Sequence, residues 1–296
     1  PAKKTMTTCP MISPNLEERI AALLAARQDT SLADLGPLRI GIQYVDSPIA
    51  YPDKSLKLSV SFANTGEEEL RLTPQLAPPS GWEIAHKVGE FVLTPGATTR
   101  FAVVLKANGV LAATETMKVT TPHGEASFPI FRSQLWYWVG PMSNVEGTGF
   151  DKEYLAQNNI KLGQVFNGRS NMPVEWKPIH LPGERIDVDQ LFGTGPGVLY
   201  LYCAARMPGP GSYRIVATSG VGVIVWIDGE KKFWYHDTHT PVPRATDPYL
   251  GSFWTDGTVK LLIKTFRNLD SVPPMSVYFL SEDGSLAVPV SFEPLS

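Results

Sequence analysis

The sequence predicts an all-β chain, two tandem β-sandwiches preceded by a short N-terminal helix. Three observations carry that expectation. Short apolar runs with a period of two recur from residue 38 to the C-terminal end, the pattern of strands with one face buried. Between them lie 26 prolines and 25 glycines, which suit a chain rich in turns. Asp228 and Gly229 form the dipeptide that most readily closes a tight hairpin. It joins the apolar run 221–227 to an aromatic cluster at Phe233, Trp234 and Tyr235.

Residues 1–36 are expected to form an extension that carries the helix. Leu16, Ile20, Leu23 and Leu24 recur at helical spacing, so a helix over about 15–28 would present one apolar stripe. Pro14 and Asn15 are good starters, and Glu17 and Glu18 sit where the helix dipole favours negative charge. Leu35, Gly36 and Pro37 stop it. Alternation then marks strands at Leu38–Ile42, Leu56–Phe62, 70–72, 91–93, 101–105, 117–119 and 126–130, with a Pro-Pro-Ser-Gly-Trp stretch ending at Trp82 between the third and fourth. About seven short strands at this spacing is what an immunoglobulin-like sandwich over 37–133 requires.

A boundary falls near Arg132, Ser133 and Gln134, and a second sandwich is expected over 134–296. Its first strand is aromatic, from Leu135 through Trp136, Tyr137 and Trp138, and Gly140-Pro141 ends it. Residues 142–197 predict long loops with short strands such as Val174-Glu175-Trp176. Denser strands follow at 198–205, 212–218, 221–227, 259–266, 275–280 and 286–292. In 221–227 both faces are apolar, with Val221, Val223, Val225 and Ile227 on one and Ile224 and Trp226 on the other. That strand should be covered on both sides.

Two resemblances attach to these residues. The order ANTGEEEL, PSGWEI, FVLTPGATTRFAVVL resembles the NEW3-type and related Ig-like modules that accompany glycoside-processing enzymes. The order LWYWVGPMSNVEGTGFDKEY, VEWKPI, VGVIVWIDGEKKF, VKLLIKTF resembles a galactose-binding-like jelly roll. Such jelly rolls are attached to carbohydrate-active enzymes and to ADP-ribosylglycohydrolase-family proteins. In this chain Ser219, Gly220 and Val221 replace the acidic pair common before the hairpin, and Asp228 replaces the commoner Asn. The resemblance implies an accessory region for a glycan-processing catalytic domain. No cofactor is expected; the resemblance alone allows a structural calcium, with Asp151, Glu153 and Asp283 as candidate ligands.

A sugar site wants an aromatic platform beside charged or amide groups. Trp234, Tyr235, His236, Arg244 and Trp254 offer both, and are the expected ligand-binding residues. The same aromatics could instead cover the open end of the sandwich. His236 and His239, three apart with no cysteine partner, make a weak metal pair and are read as solvated loop residues. No nucleophile elbow, P-loop or His-Glu-x-x-His occurs, so no catalytic residue is expected and the chain reads as a non-enzyme. Two other readings stay open: a glycan hydrolase or lyase using His236 and a carboxylate, and a purely structural interaction module.

A net charge of −3 with no dense Lys/Arg run lacks the footprint of a nucleic-acid binder. No apolar stretch is long enough to span a membrane, and the first residues lack the apolar core of a secretory signal. Two far-separated cysteines, Cys9 and Cys203, read as free thiols of a cytoplasmic protein. The expected partner is a carbohydrate or a glycan-processing domain. Because residue 1 is proline, the chain is expected to be a processed product or a portion of a longer one.

Overall fold

The structure is a computed structural model. It describes residues 30–45, 49–51, 54–85, 87–107, 114–181, 185–219, 221–235, 249–268, 272, 275–285, 287, 289 and 291–293. The expected helix over 15–28 lies outside these residues, as do Cys9, His236, His239 and Arg244. The described residues are all-β, in several antiparallel sheets, and fall into two compact units, one ending at Ser133 and the other beginning at Gln134. None of their helices is long and apolar enough to cross a membrane.

The first unit contains strands β1 (Thr30–Leu35), β2 (Leu38–Tyr44), β3 (Ile49–Ala50), β4 (Leu56–Asn64), β5 (Leu70–Leu72), β6 (Gln75–Ala77), β7 (Trp82–Ile84), β8 (Phe91–Leu93), β9 (Thr98–Ala107), β10 (Thr114–Thr121) and β11 (Gly124–Arg132). A sheet in the order β1-β2-β4-β9-β7 and another in the order β3-β11-β10-β6 share one core, and β5 pairs with β8. The strict alternation of β4 puts Leu56, Leu58, Val60 and Phe62 inside. Strand β1 falls within what the sequence assigned to the N-terminal extension. Gly36, in a left-handed conformation at φ 64°, turns the chain so that β1 pairs back along β2. Ala33 and Leu35 pack against the core, whereas Leu32 is exposed, which is why the run did not read as a strand.

The second unit contains β12 (Gln134–Met142), β13 (Val165–Asn167), β14 (Pro173–Glu175), β15 (Lys177–Leu181), β16 (Arg185–Ile186), β17 (Gly197–Arg206), β18 (Gly211–Thr218), β19 (Val223–Ile227), β20 (Glu230–Tyr235), β21 (Tyr249–Thr255), β22 (Thr258–Arg267), β23 (Met275–Ser281) and β24 (Ser291–Glu293). One sheet runs β15-β12-β17-β22-β19-β20, with β24 paired to β17. The other runs β16-β23-β18-β21. Leu199, Leu201 and Cys203 of β17 and Val223, Val225 and Ile227 of β19 meet Ile215, Phe253, Val277 and Phe279 in the core between the sheets. Cys203 is a free thiol there, and burial pushes its pKa up, so it is inert packing. Strand β12 runs on through Gly140-Pro141, a cis peptide bond beside a register shift, where the sequence had suggested an end.

The first sheet is covered on its outer face as well. Phe150, Leu155, Phe166 and Trp176, from the long connection after β12, pack on Val139, Tyr200, Tyr202, Trp226 and Leu262. Strand β19 is therefore apolar on both faces because both are buried. Only β20 separates it from the sheet edge.

Candidate functional site

Successive residues of a strand point to opposite faces, so Lys260, Leu262 and Lys264 of β22 all point to the outer face of the first sheet. On that face the 150–162 segment lies against the sheet, and Lys264 fastens it. The side chain is 2% exposed, and its ammonium donates to Phe150 O at 2.5 Å and Lys152 O at 2.6 Å. It also lies over the rings of Phe150, Tyr200 and Tyr154, at 5.4, 5.4 and 5.7 Å from their centroids. Burial lowers its pKa to about 8, while the charges of Asp151 and Glu153 pull it upward. The Tyr200 hydroxyl, which accepts from Tyr154 N, is pushed upward by the same burial.

Backbone carbonyls with flanking carboxylates are a set of ligands that calcium would favour, but here a lysine ammonium fills their centre. Of the three candidate calcium carboxylates, Asp151 and Glu153 flank Lys264. Asp283 accepts instead from Ser281 Oγ and Ser285 N in the turn after β23. An ammonium already supplies the charge that the acidic pair faces. Among the described residues no group of three or more His, Cys, Asp or Glu could hold a metal ion.

Two residues back along β22 the same face opens into a cleft of about 250 Å3. Tyr202 and Leu262 line it, together with Gln157, Asn158, Asn159 and Ile160 and with Asp228, Gly229 and Lys260. Asp228 and Gly229 are both left-handed, at φ 50° and 83°, as a tight hairpin turn of the β19–β20 type requires. The turn is locked to β22, since Asp228 N donates to Lys260 O at 2.8 Å and Asp228 Oδ1 accepts from Lys260 N at 2.9 Å. Gly229 lets the 157–160 stretch approach, for a Cβ there would lie 2.9 Å from both Cα and Cβ of Asn158. Burial raises the Tyr202 hydroxyl to about 12, so it stays protonated at neutral pH. The cleft is thus lined by three amide-bearing residues, one aspartate and one lysine, together with Tyr202, Leu262 and Ile160.

The residues expected at an aromatic loop are distributed otherwise. Phe233, Trp234 and Tyr235 belong to strand β20, and Phe253 and Trp254 to β21. Phe233 and Tyr235 pack against the inter-sheet core, as does Phe253. Trp234, opposite Ile224, is 61% exposed on the outer face of the first sheet. Trp254, opposite Ser212, is 66% exposed on the outer face of the second. The two strands do meet at Gly251, where a Cβ would fall 2.6 Å from Lys232 Cβ. The two indoles nevertheless face away from each other and do not form one platform. His236 and Arg244 lie outside the described residues.

The sequence did not single out the residues of the cleft. Gln157, Asn158 and Asn159 look like ordinary loop polarity, and Asp228 is better explained in the sequence as a turn residue than as a site carboxylate. The available signal was Lys264, a lone charge in the otherwise apolar middle of β22.

No protein-family model matches this chain, and no curated protein does. Among solved structures it is similar to an anti-sigma factor domain-containing protein from Clostridium clariflavum. That match has a TM-score of 0.35 and 10% identity, and covers 81% of this chain and 85% of that one. It is similar to the PA14 sugar-binding domain from an RTX adhesin, with a TM-score of 0.34 and 8% identity over 55% of this chain and 99% of that one. It is also similar to the GH31 alpha-xylosidase from Xanthomonas citri, with a TM-score of 0.25 and 7% identity over 89% of this chain and 37% of that one. Likenesses of this strength establish neither family nor function.

Proposed function

We propose that the second unit is a non-catalytic module that binds carbohydrate, as an accessory to a glycan-processing catalytic domain. The observation that carries this reading is the cleft at the Asp228 turn. A sugar ring offers apolar C–H faces and hydroxyls that both donate and accept. Side-chain amides and a carboxylate answer the hydroxyls, and Tyr202 with Leu262 answers the faces. Two charged side chains at or beside the cleft, Lys264 and Asp228, hold the fold. Lys264 is tied to two carbonyls, and Asp228 holds the turn. That supports binding over turnover.

The test is a glycan-array screen followed by calorimetry on the best hit. Asn158→Ala and Gln157→Ala are each expected to weaken binding about tenfold, the worth of one well-placed hydrogen bond or slightly more. Trp234→Ala, on an exposed face, serves as the contrast. If Trp234→Ala alone abolishes binding, the exposed face of β20 is the site and the cleft is not. Hydrolysis of any glycan by the purified chain would refute the non-catalytic assignment.

A further inference from the structure

We infer that the cleft takes a single neutral sugar ring, the terminal residue of a glycan, and not an internal stretch of chain. This rests on the carbohydrate reading above and adds the class of ligand. Three features support it. First, its volume of about 250 Å3 lies below the ~300–1,000 Å3 of sites that enclose drug-sized ligands, so there is room for one ring and not several. Second, a groove for an extended chain must be open at both ends. Here the 157–160 stretch closes on the hairpin turn, with Asn158 packed so tightly on Gly229 that no side chain fits between them. A chain cannot pass through that contact.

Third, the charges that line the cleft cancel. Asp228 and Lys260 bring one negative and one positive side chain, and the other polar groups are the neutral amides of Gln157, Asn158 and Asn159. Such a lining offers a uronate or a sulfated sugar no net attraction, and it suits hydroxyls that donate to one group and accept from another. Asp228 uses Oδ1 on Lys260 N and keeps its second oxygen for a ligand hydroxyl.

The experiment is calorimetric titration of the full chain. The ligands are glucose, galactose, mannose and N-acetylglucosamine, then the uronic acid of the best binder, then linear oligosaccharides of increasing length that end in it. The affinity for the best monosaccharide should be kept within about threefold as the chain lengthens, because added residues lie outside the cleft. The uronic acid should bind no more tightly than the neutral sugar, and added salt should leave the affinity unchanged. Asn158→Ala should weaken the monosaccharide and the longest oligosaccharide by the same factor. An affinity that climbs roughly tenfold or more with length would overturn the single-ring assignment and leave the carbohydrate reading standing. A uronic acid preferred over its neutral sugar would overturn the neutral-ligand assignment. Absence of binding to every sugar in the panel would overturn the carbohydrate reading itself.

Discussion

Arg267→Leu should destabilise the second unit by about 3–5 kcal/mol, the cost of dismantling a buried, multiply bonded charge. Arg267 is 4% exposed at the end of β22. Its Nε donates to Gly195 O at 3.1 Å, and Nη2 donates to Gly193 O at 2.5 Å and Gly195 O at 2.8 Å. Nη1 meets Asp189 Oδ1 at 3.3 Å, and the guanidinium lies 5.2 Å from the centre of the Phe192 ring. Asp189 Oδ1 also accepts from Val272 N, so one guanidinium gathers the 189–196 loop and the approach to β23. Leucine fills part of the space and satisfies none of those oxygens. Lysine should recover little, since one ammonium cannot serve three oxygens fixed in a plane. Urea unfolding measures both. Little change with leucine would mean that the loop finds water at no cost.

Lys264→Met should cost about 2–3 kcal/mol at pH 7, because the carbonyls of Phe150 and Lys152 lose charge-assisted donors. The loss is smaller than two such bonds would suggest, since the ammonium itself is expensive to bury. The pH dependence is the sharper check. In the folded chain the amine has a pKa of about 8, against an ordinary value of 10.5. Below about 8 both the folded and unfolded forms carry the proton, and the full cost of burying the charge is present. Between about 8 and 10.5 the folded form has released its proton and the unfolded form has not. Stability gained from this group therefore rises with pH through that window. The neutral amine still has two N–H donors, enough for both carbonyls. The margin of the native chain over Lys264→Met should consequently widen from pH 7 to pH 10. A margin that narrows would show that the charge itself, and not the donors, holds the segment.

What could be read from the sequence followed the strength of the alternation. In β4, inward residues at every second position gave away both the strand and its buried face. The turn at Asp228 and Gly229 was legible because few residue pairs tolerate two successive left-handed conformations. Strand β1 was hidden because its most apolar residue, Leu32, points outward. The aromatic cluster was misplaced for a related reason. Phe233, Trp234 and Tyr235 look alike in a list, yet a strand sends the first and third inward and the second out. Nor could spacing alone assign β20 and β21 to different sheets, which turns Trp234 and Trp254 to opposite sides. The cleft was least legible, since it joins 157–160 to 228–229 and 260–262, stretches that are distant along the chain.

The fastening at Lys264 has a consequence for the conditions in which the cleft can exist. A loop tied down by a metal depends on the concentration of that metal in its surroundings. A cation tethered to a neighbouring strand keeps a constant effective concentration, set by the length of its own side chain. The segment that walls the cleft is held by a charge on β22, within the same chain. It should hold its shape equally well in a chelator and in calcium-rich medium.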